Sequence, residues 1–249
     1  MEEGQFMFSP DRQRAIRRLL NDLEWQLFER ALTATSRALR RVADDKIAAT
    51  YRTIDAYIAM LGKLLHEEAN AIADKDRGPY ARPLTASEQR IVVEAYGHDP
   101  DPRRIRIVRG PGLSLVAAGA FLNGNPAITV GNTIYAKSSL KYLNHAEWTK
   151  SELGIELLVH EYSHVVQYHR LGFANFGKRY ARELRAANYD PDKLYDYNHR
   201  KTNFGSETLE GQAEMAGNLA RARRHSDPKS LAEQAILKRR MTGSGVYGL

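Results

Sequence analysis

The stretch SELGIELLVHEYSHVVQYHRLG, residues 151–172, decides the fold of this chain. Ser151 is a good helix N-cap, the residues after it are apolar on nearly every side of a helix, and Gly172 is a typical stop. A helix that is apolar all round belongs in the interior of a protein. The stretch therefore predicts a buried central helix, which carries two histidines and a glutamate that need partners there.

Those polar residues form the pentad His160-Glu161-Tyr162-Ser163-His164, an HExxH motif. Residues four apart share one face of a helix, so both imidazoles can bind a single metal ion. Glu161 then lies where it can act as general base on an attacking water, as in zinc-dependent peptide hydrolysis. The alternative is a pair of core histidines satisfied by hydrogen bonds, which requires several well-placed partners.

A third ligand is expected, because catalytic zinc typically binds three protein groups. The stretch TLEGQAEMAG, residues 208–217, is typical of a second helix and carries carboxylates at Glu210 and Glu214. Either carboxylate can face the histidines from an antiparallel helix; the alternative is a solvated helix face. The longer metzincin motif is absent, because the position six after His164 is Arg170. The chain contains no cysteine, which excludes cysteine-ligated zinc.

The segment LLVHEYSHVVQY, residues 157–168, resembles the HExxHxxQ helix of zincin metallopeptidase domains. Such domains occur in effectors of bacterial type VI secretion and related contractile injection systems. The similarity continues in the same order through residues 81–85, 104–110, 127–135, 195–197 and 210–213, and so covers about residues 80–222. It implies a zincin-like α+β fold that is mostly helical, with one Zn²⁺ ion.

The resemblance also implies roles for the two candidate carboxylates. In related gluzincins the first glutamate of an ExxA(D/E) run binds the metal, and the acidic residue four positions later supports the site. Carried over, His160, His164 and Glu210 bind zinc and Glu214 supports them. Gly211 departs from the commoner pattern and slightly weakens the ligand helix, but it touches no metal-binding atom.

The function implied by the resemblance is that of a zinc metallopeptidase delivered as an antibacterial effector toxin. Its expected partners are a protein or peptide substrate, a cognate immunity protein and a spike or carrier component of the secretion system. Two alternatives stay open: a non-catalytic zincin-like binding or structural module, and an endopeptidase of peptidoglycan cross-links. Glu161 favours an enzyme, because a structural zinc site has no use for a carboxylate beside a water.

The sequence predicts two domains, an N-terminal helical hairpin over residues 1–78 and the metallopeptidase domain over residues 79–249. Apolar residues recur at helical spacing over residues 16–31 and 47–65, which is typical of two long antiparallel helices. The polar stretch 76–79 contains Gly-Pro and is the expected linker. The hairpin either packs on the catalytic domain or docks with a secretion component.

Between the linker and the central helix the sequence predicts one short helix and two strands. Thr85 and Glu88 have capping-box spacing for a helix that ends near Gly97. Residues 104–109 alternate isoleucine with arginine, and residues 127–135 form a second candidate strand. Residues 128–135 are expected to form an edge strand that lies beside the HExxH helix and pairs with a substrate backbone; ordinary sheet packing is the alternative.

A donor for the oxyanion that develops during peptide hydrolysis is also needed. Tyr195, Tyr197 and His199 precede the ligand helix and are the candidates for this catalytic role. Tyrosines in such a segment are also common packing anchors, so the assignment stays open.

Composition is that of a globular protein, with 43% hydrophobic and 27% charged residues in a chain of 249. The acidic N-terminus precedes no apolar run typical of a signal peptide, and no run of about eighteen apolar residues predicts a transmembrane segment. We therefore expect synthesis in the cytoplasm without a signal peptide. The resemblance to injected effectors implies delivery into the periplasm of a target cell. The absence of cysteine is compatible with both compartments.

A net charge of +7 raises the possibility of nucleic-acid binding. The basic residues are not joined to aromatic stacking motifs, to helix-turn-helix spacing or to zinc-finger spacing. We interpret them as solvated helix faces and expect no specific nucleic-acid partner. Gly243, Gly245 and Gly248 predict a C-terminal tail that is flexible unless a partner orders it.

Overall fold

The fold is taken from a computed structural model, which describes residues 66–78, 81–122 and 124–249. It is α+β and mostly helical, as expected, with one small mixed sheet. The helices are α1 His66–Lys75, α2 Ala86–Tyr96, α3 Leu115–Leu122, α4 Glu152–Ala186, α5 Asp192–Tyr195, α6 Tyr197–Arg200, α7 Leu209–Ala222 and α8 Pro228–Arg240. The strands are β1 Ala81–Pro83, β2 Arg106–Arg109, β3 Ala127–Val130 and β4 Thr133–Ala136. Short 3₁₀ turns occupy Pro102–Arg104, Trp148–Lys150, Phe204–Ser206 and Val246–Gly248.

The four strands are ordered β1-β2-β4-β3, with a parallel β2/β4 pair between two antiparallel pairs. The single strand expected over residues 127–135 is wrong, because the chain reverses at Gly131 and Asn132 to form the β3/β4 hairpin. Gly131 has a φ of 56°, and a Cβ there would collide with the side chain of Asn70 in α1. Asn70 in turn accepts a hydrogen bond from the Asn132 backbone at 3.2 Å. The hairpin leaves β3 as one of the two edge strands of the described sheet, packed against α4.

Helix α4 is the buried central helix that the sequence predicts. Ser151 caps it, accepting a hydrogen bond from the Gly154 backbone at 3.0 Å, and residues 158–168 are all buried. Gly172 breaks the helical backbone with φ 71° and ψ 163°, but the chain re-enters a helix at once and continues to Ala186. The expected stop is therefore a kink, and the second half of α4 turns toward the site.

Helix α7 lies antiparallel to α4 against its buried face. Glu210, at the start of α7, contacts His164, and Arg221, near its end, forms an ion pair with Glu156 at 2.7 Å. The helices approach closely at Gly217, where a Cβ would lie 2.8 Å from the Glu156 carbonyl oxygen. This pairing carries residues more than forty positions apart into one site.

Most of the expected N-terminal hairpin, residues 1–65, lies outside the described residues, as do positions 79 and 80 of the chain. The part that the structure describes, helix α1, buries Ala69, Ile72 and Ala73 in a core that also contains Val116 and Phe173. Residues before the expected linker thus share a hydrophobic core with residues after it.

The capping box of α2 is confirmed, since Thr85 Oγ1 accepts from the Glu88 backbone and Glu88 Oε2 accepts from the Thr85 backbone. The flexible C-terminal tail is a wrong expectation. Val246 is fully buried, and the Arg223 guanidinium lies 4.7 Å from the centre of the Tyr247 ring. Among the described helices, none combines the length and apolar character needed to cross a membrane.

Candidate metal centre

Three buried side chains converge where α4 meets α7. The Nε2 atoms of His160 and His164 lie 3.3 Å and 3.1 Å from one atom, Oε2 of Glu210. One potential ligand atom from each residue lies within 4.8 Å of the other two. The group could therefore hold a metal ion. It is the ligand set that the resemblance to zincin domains implies.

The spacing of the ligand atoms is compatible with one metal ion. Zinc–nitrogen and zinc–oxygen bonds of roughly 2.0–2.2 Å at tetrahedral angles separate two ligand atoms by about 3.3–3.5 Å. The distances of 3.1 Å and 3.3 Å between the imidazoles and Glu210 are close to that separation. His160, His164 and Glu210 would hold such an ion through one atom each.

The hydrogen bonds behind the two rings point both Nε2 atoms at the same place. His164 Nδ1 lies 2.8 Å from Oε1 of Gln167, and His160 Nδ1 lies 3.2 Å from Oε2 of Glu214. Both partners are acceptors, so each Nδ1 carries the hydrogen of a neutral ring and leaves a lone pair on Nε2. Two lone pairs and a carboxylate oxygen, that of Glu210, then face one another, an arrangement that only a cation relieves.

The pKa values of these groups show which charge the site favours. Burial alone lowers the pKa of His160, but hydrogen bonds to Glu210 and Glu214 raise it well above its ordinary value. His164 is similar: burial lowers its pKa, and the charge of Glu210 raises it to above its ordinary value. Burial raises the pKa of Glu210, but the charge of His164 and hydrogen bonds from both imidazoles bring it well below its usual range. The centre therefore stabilises positive charge beside a carboxylate, whether carried by protons or by a metal.

The position of Glu210 is set by the turn before it. Thr208 Oγ1 caps α7 by accepting a hydrogen bond from the Gly211 backbone at 2.9 Å. Glu207, only 1% exposed, forms ion pairs with Arg200 at 2.7 Å and with Arg240 at 3.2 Å. These contacts hold the start of α7, and with it Glu210, against the histidine-bearing helix.

Glu214 lies behind His160 rather than at the point where the ligand atoms meet. Its Oε2 faces His160 Nδ1, and its Oε1 accepts a hydrogen bond from Asn218 at 3.3 Å. The structure therefore brings both predicted carboxylates to the histidines, in different positions.

Glu161 lines the same cleft as the three converging residues. Its Oε2 accepts a hydrogen bond from Thr129 Oγ1 at 2.8 Å, and the same hydroxyl lies 3.0 Å from the Glu161 backbone oxygen. Burial raises the pKa of the Glu161 carboxyl above its ordinary value. A raised pKa brings a carboxylate closer to the range in which it serves as a general base.

Comparisons with protein-family models, curated proteins and solved structures found no match. The geometry of the site therefore carries the functional argument.

The cleft is lined by an edge strand and by aromatic rings. Ala127, Ile128 and Thr129 are the residues of β3 that line it, together with four aromatic residues. These four are Tyr168, Phe176, Tyr180 and Tyr195. Within the described sheet β3 pairs only with β4, and its Thr129 side chain contacts Glu161.

Of the three oxyanion candidates only Tyr195 lines the cleft. Its ring stacks on that of His160, with centroids 5.8 Å apart and planes 20° apart. Tyr197 is buried in a separate core, where its hydroxyl accepts from Asn218 at 3.2 Å and its ring packs under Arg240. His199 is exposed and pairs with Asp196 at 3.1 Å. The structure therefore does not bring Tyr197 or His199 to the site, because α6 turns them into the core and out to solvent.

Sequence reasoning gave no role to Thr129 or Gln167, which contact the central residues. The contact of Gln167 with His164 can be predicted from the sequence, because Gln167 follows His164 by three positions and so shares its helix face. Thr129 gives no local signal, since it meets Glu161 across 32 positions of the chain.

Proposed function

We propose that this protein is a zinc-dependent metallopeptidase. The observation that carries the proposal is the convergence of His160, His164 and Glu210 on one point, with Glu161 in the same cleft. Two imidazoles and one carboxylate form the ligand set of many catalytic zinc sites. When bound, zinc supplies Lewis acidity, which polarises a carbonyl group and acidifies a nearby water.

The other chemical steps belong to the side chains. Glu161 takes a proton from the attacking water and passes it to the leaving amine. Thr129 engages Oε2 of Glu161, so that Oε1 can accept this proton. The Tyr195 hydroxyl is the remaining candidate for stabilising the oxyanion, because it is the one member of the predicted trio in the cleft.

The edge strand supports a peptide as substrate. Main-chain pairing to β3 binds extended peptides of many sequences, and it lays the backbone beside Glu161. The aromatic rings that line the cleft favour an apolar side chain in the adjoining part of it. Unfolded or extended protein segments fit this cleft better than a compact surface does.

We further propose that the peptidase is an injected antibacterial effector, which rests on the resemblance of residues 80–222 to zincin domains of such effectors. An immunity protein and a carrier component follow from the same resemblance. Cleavage of peptidoglycan cross-links is the second candidate activity, since these also contain amide bonds. A non-catalytic binding module is disfavoured by the hydrogen-bonded, cleft-lining carboxylate of Glu161.

The experiment that tests catalysis compares three forms of the purified chain: wild type, Glu161→Gln and Glu152→Gln. Glu161→Gln should keep its zinc but lose on the order of a hundredfold or more in the rate of hydrolysis, because the general base is gone. Glu152 is an exposed glutamate of the same helix, so its variant should match the wild type. Zinc is measured by elemental analysis, and hydrolysis on a denatured protein and on cross-linked peptidoglycan fragments. Full activity of Glu161→Gln on either substrate would overturn the mechanism.

A further inference from the structure

Two glutamine side chains form a hydrogen-bonded chain that ends at His164. Gln212 Nε2 donates to the Phe204 carbonyl at 2.9 Å, and Gln167 Nε2 donates to Gln212 Oε1 at 3.2 Å. Gln167 Nε2 also donates to the Leu209 carbonyl at 3.0 Å, while its Oε1 lies 2.8 Å from His164 Nδ1. Both glutamines are buried, at 8% exposed.

The orientation of both glutamine amides is fixed by the backbone carbonyls that they contact. Backbone carbonyls only accept hydrogen bonds, so the amide nitrogens, not the oxygens, must face Phe204 and Leu209. With its nitrogen held there, Gln167 presents its oxygen to His164. An oxygen cannot share a hydrogen bond with an unprotonated ring nitrogen, so His164 keeps its hydrogen on Nδ1. Nε2 is then the ring nitrogen left to bind a metal ion or a second proton, 3.1 Å from Glu210 Oε2.

We infer that Gln167 is a positioning residue, itself oriented by Gln212, that fixes His164 in the tautomer able to bind metal. Partners of this kind raise the basicity of a ligating ring and hold its orientation. The inference rests on the proposed function only for the identity of the metal.

Gln167 also links the two helices that carry the ligands. The Leu209 carbonyl that it contacts belongs to the residue before Glu210, so one side chain touches both His164 and the start of α7. Gln167 either acts only as a structural link between the helices or also sets the tautomer of His164. The two roles predict different results when the bond to the Leu209 carbonyl is removed and the bond to His164 is kept.

Two substitutions at Gln167 separate the roles. Gln167→Met removes all three hydrogen bonds of the side chain at nearly constant volume. Gln167→Glu removes the donor to Leu209 but keeps an acceptor for His164 Nδ1. A structural link alone predicts that both variants lose stability and zinc affinity together. The positioning role predicts that Gln167→Glu loses stability yet keeps zinc affinity within about threefold of wild type, while Gln167→Met loses zinc affinity by about 10- to 100-fold.

A control and an intermediate variant complete the set. Gln234 also donates to two backbone carbonyls, those of Ala222 and His225, but contacts no histidine ring. Gln234→Met should therefore leave zinc affinity unchanged. Gln212→Met removes the outer half of the chain while the Leu209 carbonyl still holds Gln167, so its loss of affinity should fall between those of wild type and Gln167→Met.

The measurements are the zinc dissociation constant, by competition with a chelator, and nitrogen-15 NMR of the His164 ring in metal-free protein. For the NMR every form also carries Glu210→Ala, because the Glu210 carboxylate would otherwise compete for the hydrogen at Nε2. The spectra are recorded at a pH where the ring is neutral. Wild type and Gln167→Glu should hold the hydrogen on Nδ1, and Gln167→Met should show a mixture of tautomers. Wild type with its hydrogen on Nε2, or Gln167→Met with unchanged tautomer and affinity, overturns the inference. If wild type binds no zinc, the proposed function fails, and the NMR result still decides the role of Gln167.

Discussion

Thr129 Oγ1 lies 2.8 Å from Oε2 of Glu161, which joins the edge strand of the sheet to the proposed general base. Both residues are buried, with Thr129 4% exposed. The Thr129 hydroxyl also faces the Glu161 backbone oxygen, and both oxygens can only accept while the carboxylate is charged. The hydroxyl hydrogen therefore points at Glu161 and orients the carboxylate. A peptide that pairs with β3 would thus touch the strand that aims the base.

The first prediction concerns this contact. Thr129→Val keeps the shape of the side chain and removes its hydrogen bond to a charged group, which is worth about 1.5 kcal/mol or more. We expect kcat to fall roughly tenfold or more, while KM and zinc content stay near those of wild type. Thr129→Ser keeps the hydroxyl and should recover most of the rate. An unchanged kcat in Thr129→Val would mean that the hydroxyl does not orient the base.

The second prediction separates the two carboxylates of α7. Glu210→Ala should release zinc, because Glu210 Oε2 is the atom on which both histidines converge. Glu214→Ala should keep zinc with about 10- to 100-fold lower affinity, because it removes the partner of His160 Nδ1 and no ligand. Elemental analysis and chelator competition on both variants measure this. The reverse ranking would transfer the ligand role to Glu214.

The sequence predicted these residues because the signals are local. HExxH, the capping residues and the spacing of Glu210 and Glu214 each fit within one or two helical turns, where helix geometry fixes the relative positions of side chains. The reversal at Gly131 depends on its surroundings in the fold, where a Cβ would collide with Asn70. The kink at Gly172 uses a positive φ that glycine adopts without strain, and the sequence does not show whether the helix ends there or continues.

Other features follow from contacts distant in sequence. Thr129 meets Glu161 only because β3 is an edge strand packed on α4. The sequence gives no reason to prefer Tyr195, Tyr197 or His199 as the oxyanion donor. The short helix α6 places Tyr197 and His199 away from the cleft. The C-terminal glycines suggested flexibility, but the adjacent Val246 and Tyr247 supply the apolar surface that holds the segment to the core.

The third prediction uses the pH dependence of stability. The pKa values of His160 and His164 are raised above the ordinary 6.5 in the folded protein. Protonated imidazoles therefore stabilise the metal-free fold fully below about pH 6.5, and this contribution is lost as the pH rises through their folded pKa values. The melting temperature of the metal-free protein should fall as the pH rises above about 6.5. Zinc replaces the protons, so the zinc-loaded protein should not show this loss, and zinc binding should release protons.

Melting curves with a chelator and with excess zinc, over the same pH series, measure the third prediction. His164→Ala provides the control, because it should lose the difference between the two conditions. A metal-free protein that becomes more stable as the pH rises through this range would contradict the protonation of the centre.

The last prediction concerns where the activity matters. The proposed effector is expected to act in the periplasm of a target cell, so the chain should be toxic to a susceptible bacterium when an added export signal sends it there. The same chain kept in the cytosol should be much less harmful, and Glu161→Gln should be harmless in both compartments because its general base is missing. Growth, cell shape and division are scored after induction, with immunoblots to match the amounts of protein. Toxicity confined to the cytosol would indicate an intracellular protein substrate, and equal toxicity of Glu161→Gln would favour a binding module over an enzyme.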